Sequence, residues 1–167
     1  MSGISTNPAR QGRHDRLIQE HNHDPYKSQQ KLPEPTLCPM CHAVFSAGRW
    51  QWLEGKTQPA KETTCPACRR INEKVPAGIL TLSGDFFQQH RDEIVSLLHN
   101  KVDAEKAQHP LKRLMEIEDQ QDDSTVVTFT DTHLPRDIGQ ALAHAYQGKL
   151  DINYGDNQDL TRVQWSR

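Results

Sequence analysis

The sequence predicts an α+β protein with two parts, a short cysteine-rich module followed by a mixed domain of about ninety residues. Two observations support this prediction. All four cysteines of the 167-residue chain stand in two matched pairs, Cys38-Pro-Met-Cys41 and Cys65-Pro-Ala-Cys68. After residue 75 the hydrophobic pattern alternates between the two-residue repeat of a strand and the 3.6-residue repeat of a helix.

Residues 1–36 form a polar segment with scattered proline and glycine and no sustained strand or helix period. Such a segment buries too little apolar surface to offset the loss of chain entropy on folding. We therefore predict a flexible arm, and the sequence leaves open whether it orders on a partner. His14, His21 and His23 are interpreted as solvated side chains, because no ligand geometry follows from their spacing.

The two cysteine pairs are separated by 23 residues, which is the spacing of a four-thiolate zinc site. A short turn lets two thiolates of one pair reach the same ion, and the proline after each first cysteine stiffens that turn. The alternative is a pair of redox motifs, but a redox C-x-x-C usually stands alone in a βαβ setting. We predict a zinc ribbon over residues 37–75 in which Cys38, Cys41, Cys65 and Cys68 bind one Zn²⁺.

Two tryptophans lie between the cysteine pairs. If this stretch is a strand, Trp50 and Trp52 point to one face, and residues 55–59 read as a hairpin tip. With Arg49 and Lys56 they could stack on and pair with single-stranded RNA. The alternative is that one ring packs beneath the zinc while the other is exposed, and both interpretations stay open.

Four further residues are candidates for contact with RNA. Arg69 and Arg70 follow the second cysteine pair, where they could meet phosphate or simply offset the charge of the thiolates. His133 and Arg136 open a predicted helix, and a helix N-terminus favours anions. The alternative for the second pair is a role in capping and packing.

Residues 76–167 read as strands and helices in the order β-α-β-β-α-β, with an extra C-terminal strand. Asp85 and Gln88 read as a capping box for the first helix, which Pro110 ends. The order is that of a ferredoxin-like domain, with two helices on one face of an antiparallel sheet. The predicted strands lie at 79–82, 112–118, 125–130, 150–154 and 163–165, and the second helix runs from about 132 or 134 to 148.

The charge is unevenly distributed along the chain. The net charge is −2, but residues 38–75 carry six basic and three acidic side chains, whereas residues 76–167 carry nine and fifteen. This balance argues against a general nucleic-acid binder and confines any phosphate contact to a local surface. The chain has no apolar run of membrane-spanning length and a polar N-terminus, so we expect a cytoplasmic protein with reduced thiols and no membrane partner.

The double-CPxC ribbon is followed by His109-Pro110-Leu111, by the run TFTDTHLPRDIGQAL at residues 128–142, and by Tyr146-Gln-Gly-Lys-Leu150. This arrangement resembles the zinc-ribbon and α+β part of the large-subunit export adaptors, the nonsense-mediated-decay-three-like proteins. It is also similar to a group of small bacterial proteins with the same ribbon. The resemblance covers residues 37–165, and it implies a factor that binds the large ribosomal subunit.

The chain also departs from that family. The eukaryotic adaptors carry more cysteine pairs and transport signals, so the resemblance implies contact with the ribosome and not export. His42 stands where these knuckles often have glycine, and Pro135 replaces a small residue.

No constellation of an enzyme is evident, because four thiolates would close the zinc shell and leave no free cysteine as a nucleophile. We therefore predict a non-enzymatic zinc-ribbon factor that binds the large ribosomal subunit or its RNA, in assembly, quality control or silencing of translation under stress. The alternative is a protein–protein adaptor that docks a partner, such as a basic ribosomal protein, through the ribbon or the acidic domain.

Overall fold

The computed structural model describes residues 24–27, 30–156 and 159–167. They form an α+β protein, as predicted, with two sheets. Most of the predicted arm, residues 1–23, 28 and 29, lies outside the described residues. The described residues 24–27 pack on the ribbon, where Tyr26 is buried and Asp24 forms an ion pair with Arg70.

The ribbon holds a small sheet and one helix. Its strands are β1 (Thr36–Leu37), β2 (Val44–Ser46), β3 (Arg49–Gln51) and β4 (Lys61–Glu62), in the spatial order β3-β2-β1-β4. Since β4 pairs with β1 in parallel, residues 55–59 belong to a crossover and not to a hairpin tip. The tight hairpin is instead at Ala47 and Gly48, both at positive φ, as a two-residue turn requires. Helix α1 (Pro66–Glu73) follows the crossover and β4.

The larger domain contains all the elements that the sequence predicts. In chain order they are β5 (Gly78–Ser83), α2 (Asp85–Gln89), α3 (Arg91–Gln108), β6 (Leu114–Asp119), β7 (Thr125–Phe129), α4 (His133–Tyr146), β8 (Lys149–Tyr154) and β9 (Thr161–Ser166). The predicted first helix is two helices, because the backbone at His90 leaves the helical region at φ −116° and ψ 20°.

The ferredoxin-like arrangement is not confirmed. The sheet has the order β6-β7-β5-β9-β8, so the last strand is inserted between β5 and β8 and does not extend an edge. It pairs with β5 in parallel over six residues, which makes the sheet mixed and not antiparallel throughout. The sequence pattern of β9 is the same in either position, which is why the pattern alone predicts the strand but not its neighbours.

One hydrophobic core lies between the helices and the larger sheet. Its residues alternate along each strand, as in Leu80, Leu82, Val163 and Trp165, and meet helical residues such as Ile94. The opposite face of the sheet is polar in comparison, and one row across it reads Glu116, Thr128, Ile79, Arg162 and Asn153. The row offers no ring on which a base could stack.

The prediction that Asp85 and Gln88 form a capping box is wrong, although a helix does begin at Asp85. Gly84 is the N-cap, and no side chain caps this helix. The carbonyl of Arg167 accepts from the backbone N–H groups of Phe86 and Phe87 at 2.8 and 3.2 Å. A Cβ at Gly84 would lie 2.4 Å from that oxygen of Arg167, so Arg167 and the glycine at φ +100° together begin the helix.

We expect the chain from Lys74 to Arg167 to fold by itself, because the thirteen buried residues of the large core all lie between Leu80 and Trp165. The fragment should show one cooperative thermal transition, with Trp165 reporting the loss of its buried environment by fluorescence. A fragment that melts without cooperativity would contradict the predicted boundary near residue 75.

Candidate metal centre and adjoining cleft

The four cysteines come together in one cluster, although the two pairs are far apart in sequence. Their sulfur atoms all lie within 4.8 Å of one another, and Cys41 Sγ is 3.7 Å from Cys65 Sγ. A tetrahedral zinc thiolate site has Zn–S bonds of about 2.3 Å and therefore sulfurs about 3.8 Å apart. The cysteines are free rather than disulfide-bonded, and the cluster could bind a metal ion.

The first cysteine pair is held by a tight backbone turn. The N–H of His42 donates to the carbonyl of Cys38, and the N–H of Cys38 donates to the carbonyl of Ala43, each at 2.9 Å. His42 has φ 65°, the left-handed conformation that explains why such a knuckle usually has glycine at this position. The turn brings both sulfurs to one side.

The second cysteine pair begins helix α1. Cys65 is the N-cap, its sulfur accepts from the N–H of Cys68 at 3.4 Å, and Pro66 occupies the first helical position. The N–H of Cys65 in turn donates to the sulfur of Cys38 at 3.3 Å. These N–H···S contacts favour thiolates, which are the ligands of metal ions.

The thiols have different acidities. Burial tends to raise the pKa of Cys38, but hydrogen bonds from the backbone of Cys65, Cys41 and Met40 lower it to about 7. Burial raises the pKa of Cys65 and of Cys68, and at Cys68 the nearby Arg113 opposes that rise. Binding of a cation at this cluster therefore requires displacement of protons and weakens as the pH falls.

A buried arginine from the larger domain lies against the cluster. The guanidinium of Arg113, near the start of β6, donates to Cys68 Sγ at 3.3 Å and is 3.6 Å from Cys65 Sγ. Its Nε donates to the carbonyl of Pro110 at 2.7 Å, and the residue is 9% exposed. Burial alone would lower the pKa of Arg113, but the contacts with Cys41 and Cys68 raise it, so the charge is retained.

Arg113 thus supplies the positive charge that the sequence assigned to Arg69 and Arg70. Arg70 is buried, forms an ion pair with Asp24 at 2.7 Å and lies over the ring of Tyr26. Contact between Arg70 and phosphate would require that ion pair to break. Arg69 is exposed and 3.9 Å from Glu73 on the same helix.

Further contacts attach the ribbon to the larger domain. Leu111 and Trp50 pack against the cysteine cluster. The indole N–H of Trp52 donates to the carbonyl of Lys106 at 2.6 Å, at the end of α3. One tryptophan is therefore half-buried under the cysteines, whereas Trp52 is 36% exposed and is held by a hydrogen bond.

The remaining candidates for RNA contact lie in separate places. His133 is at the start of α4, where the carboxylate of Asp131 accepts from the N–H groups of His133 and Leu134 at 2.9 Å each. This carboxylate already accepts from the first N–H groups of α4, which are the groups that a bound anion would contact. Arg136 pairs with Asp137 at 3.1 Å. Lys56 is exposed in the crossover of the ribbon.

Arg49 and Trp50 do lie together, in a cleft of 660 Å³ between the ribbon and the larger domain. One wall carries Phe45 and Trp50, whose rings meet edge to face with centroids 5.7 Å apart. The larger domain contributes the loop from His109 to Lys112 to the lining. Lys27 and Lys31, which sequence reasoning did not single out, also line the cleft, and only the fold brings them there.

Comparisons of the chain with protein-family models, with curated proteins and with solved structures give no match. The resemblance to the large-subunit export adaptors therefore stays a prediction. Within the part of the chain that the structure describes, no helix combines the length and the apolar character that crossing a membrane requires.

Proposed function

We propose that this protein is a non-enzymatic zinc-ribbon factor of the cytoplasm that binds the large ribosomal subunit through ribosomal RNA. The observation that carries the proposal is that a four-cysteine cluster adjoins a cation-lined cleft, because Trp50 and Leu111 both pack against the cluster and line the cleft. Lys27, Lys31 and Arg49 line this cleft and form no ion pair with any described residue, so their charges are available to phosphate.

Zinc is the metal that this ligand set suits best. Four thiolates from two C-x₂-C turns form a closed tetrahedral shell, which is typical of structural zinc. The charge of such a site is about −2, and the buried guanidinium of Arg113 reduces it. When bound, the ion holds the two cysteine turns together. A closed shell leaves no position for a substrate, which supports a binding role for the ribbon.

The proposal predicts that the zinc-loaded protein sediments with purified large ribosomal subunits in a sucrose gradient at low salt. The fraction bound should fall as salt rises, because each cation on a phosphate releases counterions. Small subunits in a parallel gradient are the control. Protein that stays at the top of the gradient with large subunits at low salt would refute ribosome binding.

The alternative function, a protein–protein adaptor, is favoured by one observation. Met40, Ile71 and Val75 of the ribbon are exposed by 53%, 37% and 42%, and Met40 contacts Asn72 of helix α1 through its sulfur. An adaptor would use such apolar side chains to dock a partner.

If the protein is an adaptor, Ile71→Lys should abolish its binding to ribosomal proteins and leave its binding to naked ribosomal RNA unchanged. The RNA-binding proposal predicts that Ile71→Lys changes neither kind of binding.

A further inference from the structure

We propose that the cleft between the β2–β3 hairpin and residues 109–112 binds one unpaired nucleotide of a single-stranded RNA, with its base against Trp50 and its phosphates at Lys31 and Arg49. The inference rests on the proposed RNA-binding function and assigns it a site and a ligand. The cleft has a volume of 660 Å³, within the range of small-ligand sites.

Contacts within the protein hold the ring of Trp50 in place without a ligand. Trp50 packs on its inner side against the cysteine cluster, and its ring is also in edge contact with Phe45. An aromatic ring held in this way can stack on a base without losing further side-chain freedom. Pro110 and Leu111 add apolar surface from the loop of the larger domain, so a planar base in the cleft would contact both parts of the protein.

The cations at the rim suit a phosphate backbone. Lys27 and Lys31 come from the segment before the ribbon, and Arg49 comes from edge strand β3. Lys112 also lines the cleft, but Glu105 accepts from its ammonium at 2.8 Å and offsets its charge. Among the described residues that line the cleft, Asp131 carries the one carboxylate, and it accepts from two backbone N–H groups of α4. Unpaired positive charge therefore predominates.

These features favour a single-stranded nucleic acid over the other anionic partners. A duplex presents its phosphates but keeps its bases stacked, so it could not use the aromatic wall. An acidic peptide could use the cations but has no planar group at each residue for the wall. The combination of rings and unpaired cations is typical of sequence-tolerant binding to single strands.

The first test changes the ligand and leaves the protein intact. Fluorescence anisotropy of the zinc-loaded full chain would be measured with labelled five-nucleotide oligouridylate, with the same oligomer carrying abasic ribose, and with a double-stranded RNA long enough to stay paired. We expect the abasic oligomer and the duplex to bind on the order of tenfold more weakly. The proposal would be overturned if the three ligands bound with equal affinity. It would also be overturned if oligoglutamate of the same charge displaced the labelled oligouridylate as well as unlabelled oligouridylate does.

The second test changes the rim. Lys31→Glu with Arg49→Glu should weaken binding of oligouridylate and lower the slope of log K against log salt by about 1.4, at about 0.7 per phosphate contact. The matched control is Lys61→Glu with Lys74→Glu, which makes the same change in charge on exposed ribbon residues outside the cleft. Zinc content and thermal unfolding would establish that both variants fold. If the two double variants bind oligouridylate equally, the cleft is not the site.

Failure of this inference is distinguishable from failure of the proposed function. Co-sedimentation with large subunits in the absence of oligouridylate binding would overturn the cleft proposal and leave ribosome binding intact. Binding of oligouridylate that depends on Lys31 and Arg49, without co-sedimentation, would support the cleft and refute the ribosome as the partner.

Discussion

Replacement of Cys65 by serine should abolish metal binding and unfold the ribbon, while the larger domain keeps its structure. Cys65 is fully buried and begins helix α1 as its N-cap. Its N–H donates to the sulfur of Cys38, and its own sulfur accepts from the N–H of Cys68. A structural zinc contributes about 10–16 kcal/mol of binding free energy at neutral pH in small zinc modules. The ribbon has few buried apolar residues outside the cluster to replace this contribution.

The measurement is zinc content by mass spectrometry of the native protein, together with tryptophan fluorescence. We expect one zinc per wild-type chain and none in Cys65→Ser, with exposure of the half-buried Trp50 and no change at Trp165 in the large core. Thr64→Ser is the matched control, because it alters the preceding residue without removing a thiol. One bound zinc in a variant with all four cysteines changed to serine would exclude these residues as the ligands.

The elements of the larger domain could be predicted from the sequence because each has a local signal. Alternation in β5, β7 and β9 and the helical spacing of Leu134, Ile138 and Leu142 place the core residues correctly. The order of the strands has no local signal. Parallel pairing of β9 with β5 depends on how a strand fits between two others, and the alternating pattern of its residues permits an edge or an interior position.

The cysteine cluster was likewise predictable, whereas its surroundings were not. The two CPxC pairs specify four ligands by spacing alone. Arg113 lies 45 residues after Cys68 in the chain and looks like an ordinary basic residue before a strand. Conversely, Arg70 stands two residues after Cys68 but points toward Asp24 and Tyr26. Proximity in sequence therefore does not identify Arg113 as the arginine that contacts the cysteines, because the docking of the two parts is a tertiary event.

Replacement of Arg113 by methionine should weaken zinc binding on the order of 10- to 100-fold, which is the usual cost of losing a group that hydrogen-bonds to metal ligands. Methionine keeps much of the apolar stem but removes the donors to Cys68 and to the carbonyl of Pro110. Arg113→Lys should give an intermediate affinity, because an ammonium keeps the charge without the planar fork. The affinities would be measured by competition with a chromophoric chelator.

The pH dependence of zinc release gives a second readout for the same variant. Burial raises the pKa of Cys68, and the contact with Arg113 lowers it, so removal of the guanidinium should raise it further. Protons then compete with zinc at higher pH, and the midpoint of zinc release should move upward in Arg113→Met. If Arg113 served only the packing of the larger domain, its replacement would lower the thermal stability of that domain without moving this midpoint.

Arg162→Met is the matched control, because Arg162 is exposed on β9 of the same domain and forms no ion pair with a described residue. The control should bind zinc as the wild type does. Because Arg113 and the thiolates are buried, the difference between the two variants should persist in high salt, unlike the binding of RNA at the cleft. Wild-type zinc affinity and an unchanged release midpoint in Arg113→Met would show that the larger domain does not support the metal centre.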